Sequence, residues 1–332
     1  MSIQGAVAIG NRLVGPGEDA YIVAEIGINH NGDLAMAKRL IDVAAFAGCD
    51  AVKFQKRTIS VVYNQQELGR PREMRKGKHV LENAIKRGVL PPESVQRLMQ
   101  SDFTDTRNGD LKYALEFTED EYAEIDAYCK EKRIAWFASC WDCESVDFIE
   151  QFNPPAHKIA SPCNEDDELM LRLRATGKPL ILSTGMTDMD GVRAVVEVLG
   201  TENLVILHCT SIYPTGTGTP EEVLRCVNLK GMARLRNEFG VPIGFSSHDT
   251  GIMPTFAAAA MGACMIEKHI TQERGMFGSD QALSSEPGDL IRLCRAVREL
   301  YIAQGNGEIS IYPDEQAIIE KLRRVRRTLS VV

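Results

Sequence analysis

No apolar run in the 332-residue chain approaches the roughly 20 residues a membrane-spanning helix needs. The N-terminus, MSIQGAVAIG, has no basic flank followed by a long apolar region, so no export signal is read there. Excess positive charge is also missing. A net charge of −8 argues against nucleic acid as a default partner, while leaving room for a local basic cleft around an anion. The glycine-rich turn that opens a doubly wound dinucleotide-binding sheet is absent, since AEIGINHNGD is not GxGxxG. The nine cysteines are odd in number and scattered, and they read as reduced thiols of a cytoplasmic protein. Cys140 and Cys143 have CxxC spacing in ASCWDCES, but a single pair without a second is a weak metal or redox signal. What remains is ordinary. Hydrophobic content of 44% and charged content of 25% suit a soluble globular chain long enough to bury a full core.

Short apolar runs alternate with amphipathic ones. Strands are expected at residues 21–28, 51–55, 134–139, 157–161, 180–183, 204–209, 243–246 and 265–269. Helices are expected at 34–47, 119–132, 143–152, 165–176, 190–199 and 253–261. The strand runs are mostly continuous and apolar, as in a parallel sheet buried on both faces. Eight such units predict an α/β fold, a (β/α)8 TIM barrel over residues 1–304, with an N-terminal β-hairpin in residues 1–18. Residues 305–332 read as a linker and a C-terminal helical tail. One interval breaks the rhythm. Residues 57–115 are far longer than a βα loop needs, with a basic stretch RPREMRKGKHV and a polar stretch DFTDTRNGDLKY. They read as a long loop, either a lid over the mouth or a solvated excursion.

Parallel strands in βαβ units bring their carboxyl ends to one side. Val241 to Asp280 then places His248 and His269 just past two neighbouring strand ends, with Glu267 and Asp280 nearby. Two imidazoles at such a crevice suit a divalent metal with open positions; two hydrogen-bonded strand-end histidines are the simpler alternative. Lys53 and Lys158 lie inside apolar strands, where an ammonium is costly without a ligand or an internal ion pair. Ser161, Ser183, Ser211 and Ser246 stand at strand ends with Glu25, Gln55 and Tyr213. Two lysines and several hydroxyls suit a small anion carrying phosphate and carboxylate, although each hydroxyl could equally cap a helix. Glu25 and Asp280 could orient polyol hydroxyls or move protons.

AEIGINHNGD, AVKFQKRT, HKIAS, KPLILSTGM, LHCTSIYP, GFSSHDTG, IEKHIT and GSDQALS, in this order, resemble the sialic acid (N-acetylneuraminate) synthase family from about Tyr21 to Arg298. The resemblance implies metal-dependent condensation of phosphoenolpyruvate with an open-chain aldose, giving a 3-deoxy-2-keto sugar acid and phosphate. It implies His248 and His269 as metal ligands, with Mn²⁺ the expected ion and Mg²⁺ or Co²⁺ usable. It assigns Lys53, Lys158, Ser161, Ser183, Ser211 and Ser246 to phosphoenolpyruvate. It assigns Glu25, Gln55, Tyr213 and Asp280 to the sugar or the reacting water, with Glu25, His248, His269 and Asp280 catalytic. It also implies a cytoplasmic homo-oligomer without nucleic-acid or membrane partners.

Three departures from the family pattern fall on the acceptor side. SPC replaces SGE or SGD, so Cys163 stands where a sugar-contacting carboxylate is usual; CWD replaces TPF; and the familiar C-terminal antifreeze-like domain does not follow RRVRRTL. The expectation is therefore an acceptor other than plain N-acetylmannosamine, with the 57–115 segment closing the site through Arg70, Arg72, Arg75 and Arg107. Two alternatives remain: a 3-deoxy-octulosonate phosphate synthase-like condensation, which needs cations for a sugar phosphate such as those of Arg70–Lys78, and a non-catalytic sugar- or anion-binding barrel.

Overall fold

Alternation along eight short strands decides what fills the centre of the molecule. The computed structural model describes residues 5–212 and 220–325. A two-stranded antiparallel hairpin comes first, β1 (Val7–Ile9) and β2 (Arg12–Val14). The parallel strands follow: β3 (Tyr21–Gly27), β4 (Ala51–Lys56), β5 (Ala135–Cys140), β6 (His157–Ile159), β7 (Leu180–Ser183), β8 (Leu204–Thr210), β9 (Ile243–Ser247) and β10 (Met265–His269). They close into a barrel in chain order, β10 pairing with both β9 and β3. The barrel, its hairpin and a C-terminal helix (Glu315–Leu322) are those expected from the sequence.

One apolar cluster fills the barrel's amino-terminal half: Tyr21, Val23, Phe137, Ile181, Val205, Leu207 and Met265, joined by Val7, Ile9 and Val14 of the hairpin. A larger cluster lies between the strands and the helices. Side chains alternate faces along a strand. Continuing the inward set of Tyr21 and Val23 therefore leads to Glu25, that of Ala51 to Lys53, that of Phe137 to Ser139 and that of Met265 to Glu267. In register, Glu25 pairs with Lys53 and His269, Ser139 with Lys158, and Glu267 with Ser246. A polar layer thus sits directly on the apolar one, facing the carboxyl ends.

The helices begin where side chains satisfy their first N–H groups. Asp33 accepts from the amides of Ala35 and Met36 at the start of Leu34–Ala47, and Thr118 forms a capping box with Glu121 at the start of Glu119–Lys132. Among the described residues no helix is long and apolar enough to cross a membrane.

Two expectations need correction. Residues 57–115 are not a loop. They fold into helices including Lys78–Arg87, Pro92–Gln100 and Asn108–Leu115, which bury Met74, Val80, Leu81, Ala84, Leu98, Leu111 and Ala114 in a core of their own. The second concerns the strand expected at 157–161. It stops at Ile159, and a 3-10 turn, Ser161–Cys163, follows. Pro162 has no N–H to continue a sheet ladder.

Candidate active site

The polar layer opens into a cavity of about 400 Å3 at the carboxyl ends of the strands. Its wall includes Glu25, Lys53, Gln55, Lys158, Ser161, Ser183, Ser211, Ser246, His248, His269 and Asp280, so eleven of the twelve residues singled out in the sequence meet in one place. The twelfth, Tyr213, lies outside the described residues.

Lys53 and Lys158 differ in their partners. Lys53 Nζ lies 2.7 Å from Glu25 and 3.7 Å from Glu267, and it donates to Ser139 Oγ at 2.9 Å. The two carboxylates hold its ammonium charged, raising its pKa against the cost of burial. Lys158 Nζ donates to the backbone oxygen of Ile159 at 2.7 Å, and among the described residues no carboxylate comes within ion-pair distance. Burial accordingly lowers its pKa. Of the two acids around Lys53, burial raises Glu25 to about 7 despite the ammonium beside it. Glu267 is held down by Lys53 and then Lys158 in the face of burial, and it accepts a 3.1 Å bond from Ser246. Glu25 is thus poised to exchange a proton near neutral pH. Gln55 Nε2 donates to Glu25 at 3.0 Å, while Arg57 donates to Gln55 Oε1.

Beside Lys158 the wall is built of hydroxyls around a glycine. A β-carbon on Gly185 would lie 2.1 Å from Ser211 Oγ and 2.6 Å from Ser161 Oγ, so this backbone lets the two hydroxyls converge. Ser183 Oγ, buried in the same wall, has no hydrogen-bond partner.

His248 and His269 have ring centroids 5.3 Å apart. His248 Nδ1 lies 3.2 Å from the backbone oxygen of Thr210. His269 Nδ1 is buried without a partner, and burial lowers the pKa of this ring while Asp280 opposes the shift. Between the two strand ends the neighbours of these histidines form a buried ion pair, Lys268 Nζ 3.4 Å from Asp249. Lys268 also donates to Ser247 Oγ at 3.2 Å. This pair clamps the ends of β9 and β10; the sequence reading passed over it because Lys268 faces the helix layer. Two imidazoles, that of His269 with an orphaned nitrogen, fit a divalent ion that takes its remaining ligands from substrate or water. Among the described residues no group of three or more His, Cys, Asp or Glu is arranged as a complete metal site.

Several residues sit elsewhere than their sequence context suggested. Cys163 packs in the barrel–helix core, and Pro162 lines the cavity in its place. Cys140 is also in that core, its Sγ directed at the backbone oxygen of Ser145, so the CxxC spacing marks no exposed pair. Arg70, Arg75 and Arg107 pair with Glu67, Glu73 and Asp105, and Arg72 donates to Asn108. None of the four lines the cavity. The helical excursion reaches the site through Arg57, Tyr63 and Lys112 instead, and Trp141 and Met186 also line the cavity. These five were not singled out. Arg57, Trp141 and Met186 do lie in the AVKFQKRT, CWD and KPLILSTGM stretches noted above.

This placement defines an enzyme of the (β/α)8 class, whose chemistry sits at the carboxyl ends of its strands. Residues 40–309 match the NeuB family, and the chain belongs to that family. It is 34% identical to the N-acetylneuraminate-9-phosphate synthase of Homo sapiens over 94% of this chain and 78% of that one. It is 31% identical to the N,N'-diacetyllegionaminic acid synthase of Campylobacter jejuni, over 91% of this chain and 83% of the relative. A crystal structure of the N-acetylneuraminic acid synthetase of Leptospira borgpetersenii in complex with citrate superposes with a TM-score of 0.74 at 25% identity, covering 98% of this chain and 99% of that one. The chain is accordingly a synthase of the sialic acid synthase family, an enzyme of carbohydrate biosynthesis.

Proposed function

We propose that the enzyme condenses phosphoenolpyruvate with an open-chain aldose, giving a 3-deoxy-2-keto sugar acid and inorganic phosphate. The observation that carries this reading is the donor half of the cavity. Lys158, with no carboxylate within ion-pair distance among the described residues, stands beside the converging hydroxyls of Ser161 and Ser211 and the unbonded hydroxyl of Ser183. That set matches an anion with phosphate and carboxylate groups, and the anion in turn supplies the charge and acceptors the wall lacks. Ser246, held by Glu267, completes the donor side.

In the reaction the methylene carbon of phosphoenolpyruvate bonds to the aldehyde carbon, and the aldehyde oxygen takes up a proton to become a hydroxyl. Positive charge develops at the enol carbon, and water adds there. Breaking the carbon–oxygen bond to phosphate then leaves the ketone. Glu25, poised near neutrality, accepts the water's proton, and Lys53 keeps that carboxylate in place. Gln55 and Asp280 orient the acceptor's hydroxyls from the upper wall. His248 and His269 would hold a divalent ion, Mn²⁺ being expected, which when bound polarises the acceptor carbonyl. Fixing donor and acceptor face to face contributes up to about 7–11 kcal/mol in favourable cases.

Phosphate release from phosphoenolpyruvate in the presence of a panel of aldoses tests the reading. Release should require an aldose, stop on chelation and return with Mn²⁺. His269→Ala should lose both metal binding and turnover while its melting temperature holds. No aldose-dependent release by the metal-supplemented enzyme would overturn the reading.

A further inference from the structure

The sheet ladder between β9 and β10 runs out one residue before it reaches the two histidines. Its last rung pairs Lys268 with Ser247, and the next residues along are His269 and His248. His269 stays anchored on its other side, opposite Glu25 of β3, and its backbone oxygen accepts from the amide of Ser285 at 2.7 Å. His248 lies beyond the end of β9, so the ladder does not fix the distance between the two rings. A side chain takes over where the ladder stops. Lys268 Nζ donates to the backbone oxygen of Asp249 and, at 3.2 Å, to Ser247 Oγ, and the Asp249 carboxylate lies 3.4 Å away. From the position just before His269, one ammonium thus holds both residues that flank His248. The turn that follows is held as well: Asp249 Oδ2 accepts from the amide of Gly251 at 3.2 Å, and Arg274 Nη2 donates to the backbone oxygen of Thr250 at 3.1 Å.

Stability does not explain this pair. Lys268 and Asp249 are 1% and 5% exposed, and taking two such charges out of water costs about as much as their attraction returns. Well-packed apolar side chains of similar volume would serve the fold as well or better. What they could not do is bond to the backbone beside a metal-ligating residue and fix where it stands. We propose, resting on the metal placement above, that Lys268 and Asp249 are positioning residues. They set the span between the rings of His248 and His269, whose centroids lie 5.3 Å apart, and thereby how tightly the site holds a divalent ion.

Mn²⁺ binding by the full chain, read from the electron paramagnetic resonance of the free ion, tests this beside calorimetric unfolding and phosphoenolpyruvate binding. Lys268→Met or Asp249→Leu alone strands a buried charge, so the deciding variant carries both. That double variant should melt at or above the temperature of the parent. Its Mn²⁺ affinity should nevertheless fall about tenfold or more, while phosphoenolpyruvate binding without metal stays within about twofold. Ser247→Ala and Asp249→Asn each loosen one tie to Lys268 and keep the others. They carry the test if the double variant does not fold, and both should weaken Mn²⁺ more than phosphoenolpyruvate. Unchanged Mn²⁺ affinity in a folded double variant, or losses that follow the melting temperature across the set, overturns the inference and leaves the metal placement standing. A parent protein that binds Mn²⁺ no better than His269→Ala overturns that placement, and this inference with it. Lys268-dependent Mn²⁺ binding without aldose-dependent phosphate release upholds the pair and overturns the condensation instead.

Discussion

The floor and the outer wall of the same cavity are built on opposite plans. On the floor the functional groups stand on barrel strands or just past their carboxyl ends, and charge is largely matched within the protein, as in the ion cluster of Glu25, Lys53 and Glu267. On the wall Arg57 and Lys112 come from a helical excursion and rest on the rings of Trp141 and Tyr63, with donors unspent. A self-matched floor can exist without substrate; a wall with surplus donors is completed by one. Within the floor, Lys158 is the exception that resembles the wall.

The two floor lysines give the largest expected contrast. Lys53→Met leaves two buried carboxylates facing each other and should destabilise the fold by about 3–5 kcal/mol. Lys158→Met removes an ammonium that has no carboxylate partner among the described residues. It should leave the melting temperature unchanged or raised while weakening phosphoenolpyruvate about 10- to 100-fold. Calorimetric unfolding and donor binding check both, and equal destabilisation by the two variants would erase the distinction. Leu98→Ala comes next. Leu98 is fully buried in the excursion's own core, and truncation should cost about 2–4 kcal/mol. If the excursion is only draped on the barrel, unfolding followed by denaturant will show almost none of that loss.

His30 has a smaller effect, spread over pH. It is stacked on Phe117 with centroids 4.2 Å apart, and burial, then Arg87, lowers its pKa to about 3. The unfolded chain binds a proton near pH 6.5 that the folded one refuses, so stability is full above that pH and falls as pH drops toward 3. His30→Asn should flatten that slope by up to about 1.4 kcal/mol per pH unit. An unchanged acid limb would show that other groups set it. The smallest effect is expected for the exposed Arg70 and Arg75. Their pairs with Glu67 and Glu73 lie on the surface, so Arg70→Ala and Arg75→Ala should shift stability by less than about 0.5 kcal/mol and leave acceptor KM unchanged.

The floor was legible in the sequence because its residues break a rule there. Lys53 and Lys158 interrupt apolar strands, and His248 and His269 follow two of them, so position along a strand gave position in space. The wall was not legible. The segment after β4 was judged by its net composition, basic in one stretch and polar in the next, and that average hides the helical spacing of Val80, Leu81 and Ala84. Arg70 and Arg75 drew attention as charges, yet charge says nothing about direction. Lys112 sits in DLKYAL on the helix Asn108–Leu115, and only packing turns it toward the cavity. Cys163 was expected at the sugar because SPC stands where the family has SGE or SGD. The 3-10 turn at Pro162 rotates it into the core.

The hairpin β1–β2 has a consequence for traffic. Val7, Ile9 and Val14 join the apolar layer at the amino-terminal end, so the barrel is stoppered there and its cavity opens at the carboxyl ends of the strands. On the proposed placement of the donor on the floor and the acceptor above it, loading becomes a queue: phosphoenolpyruvate enters first, and a seated sugar blocks the way behind it. An unreactive acceptor analogue should then inhibit uncompetitively against phosphoenolpyruvate, because it finds its place only once the donor is in; a competitive pattern would mean a second way in.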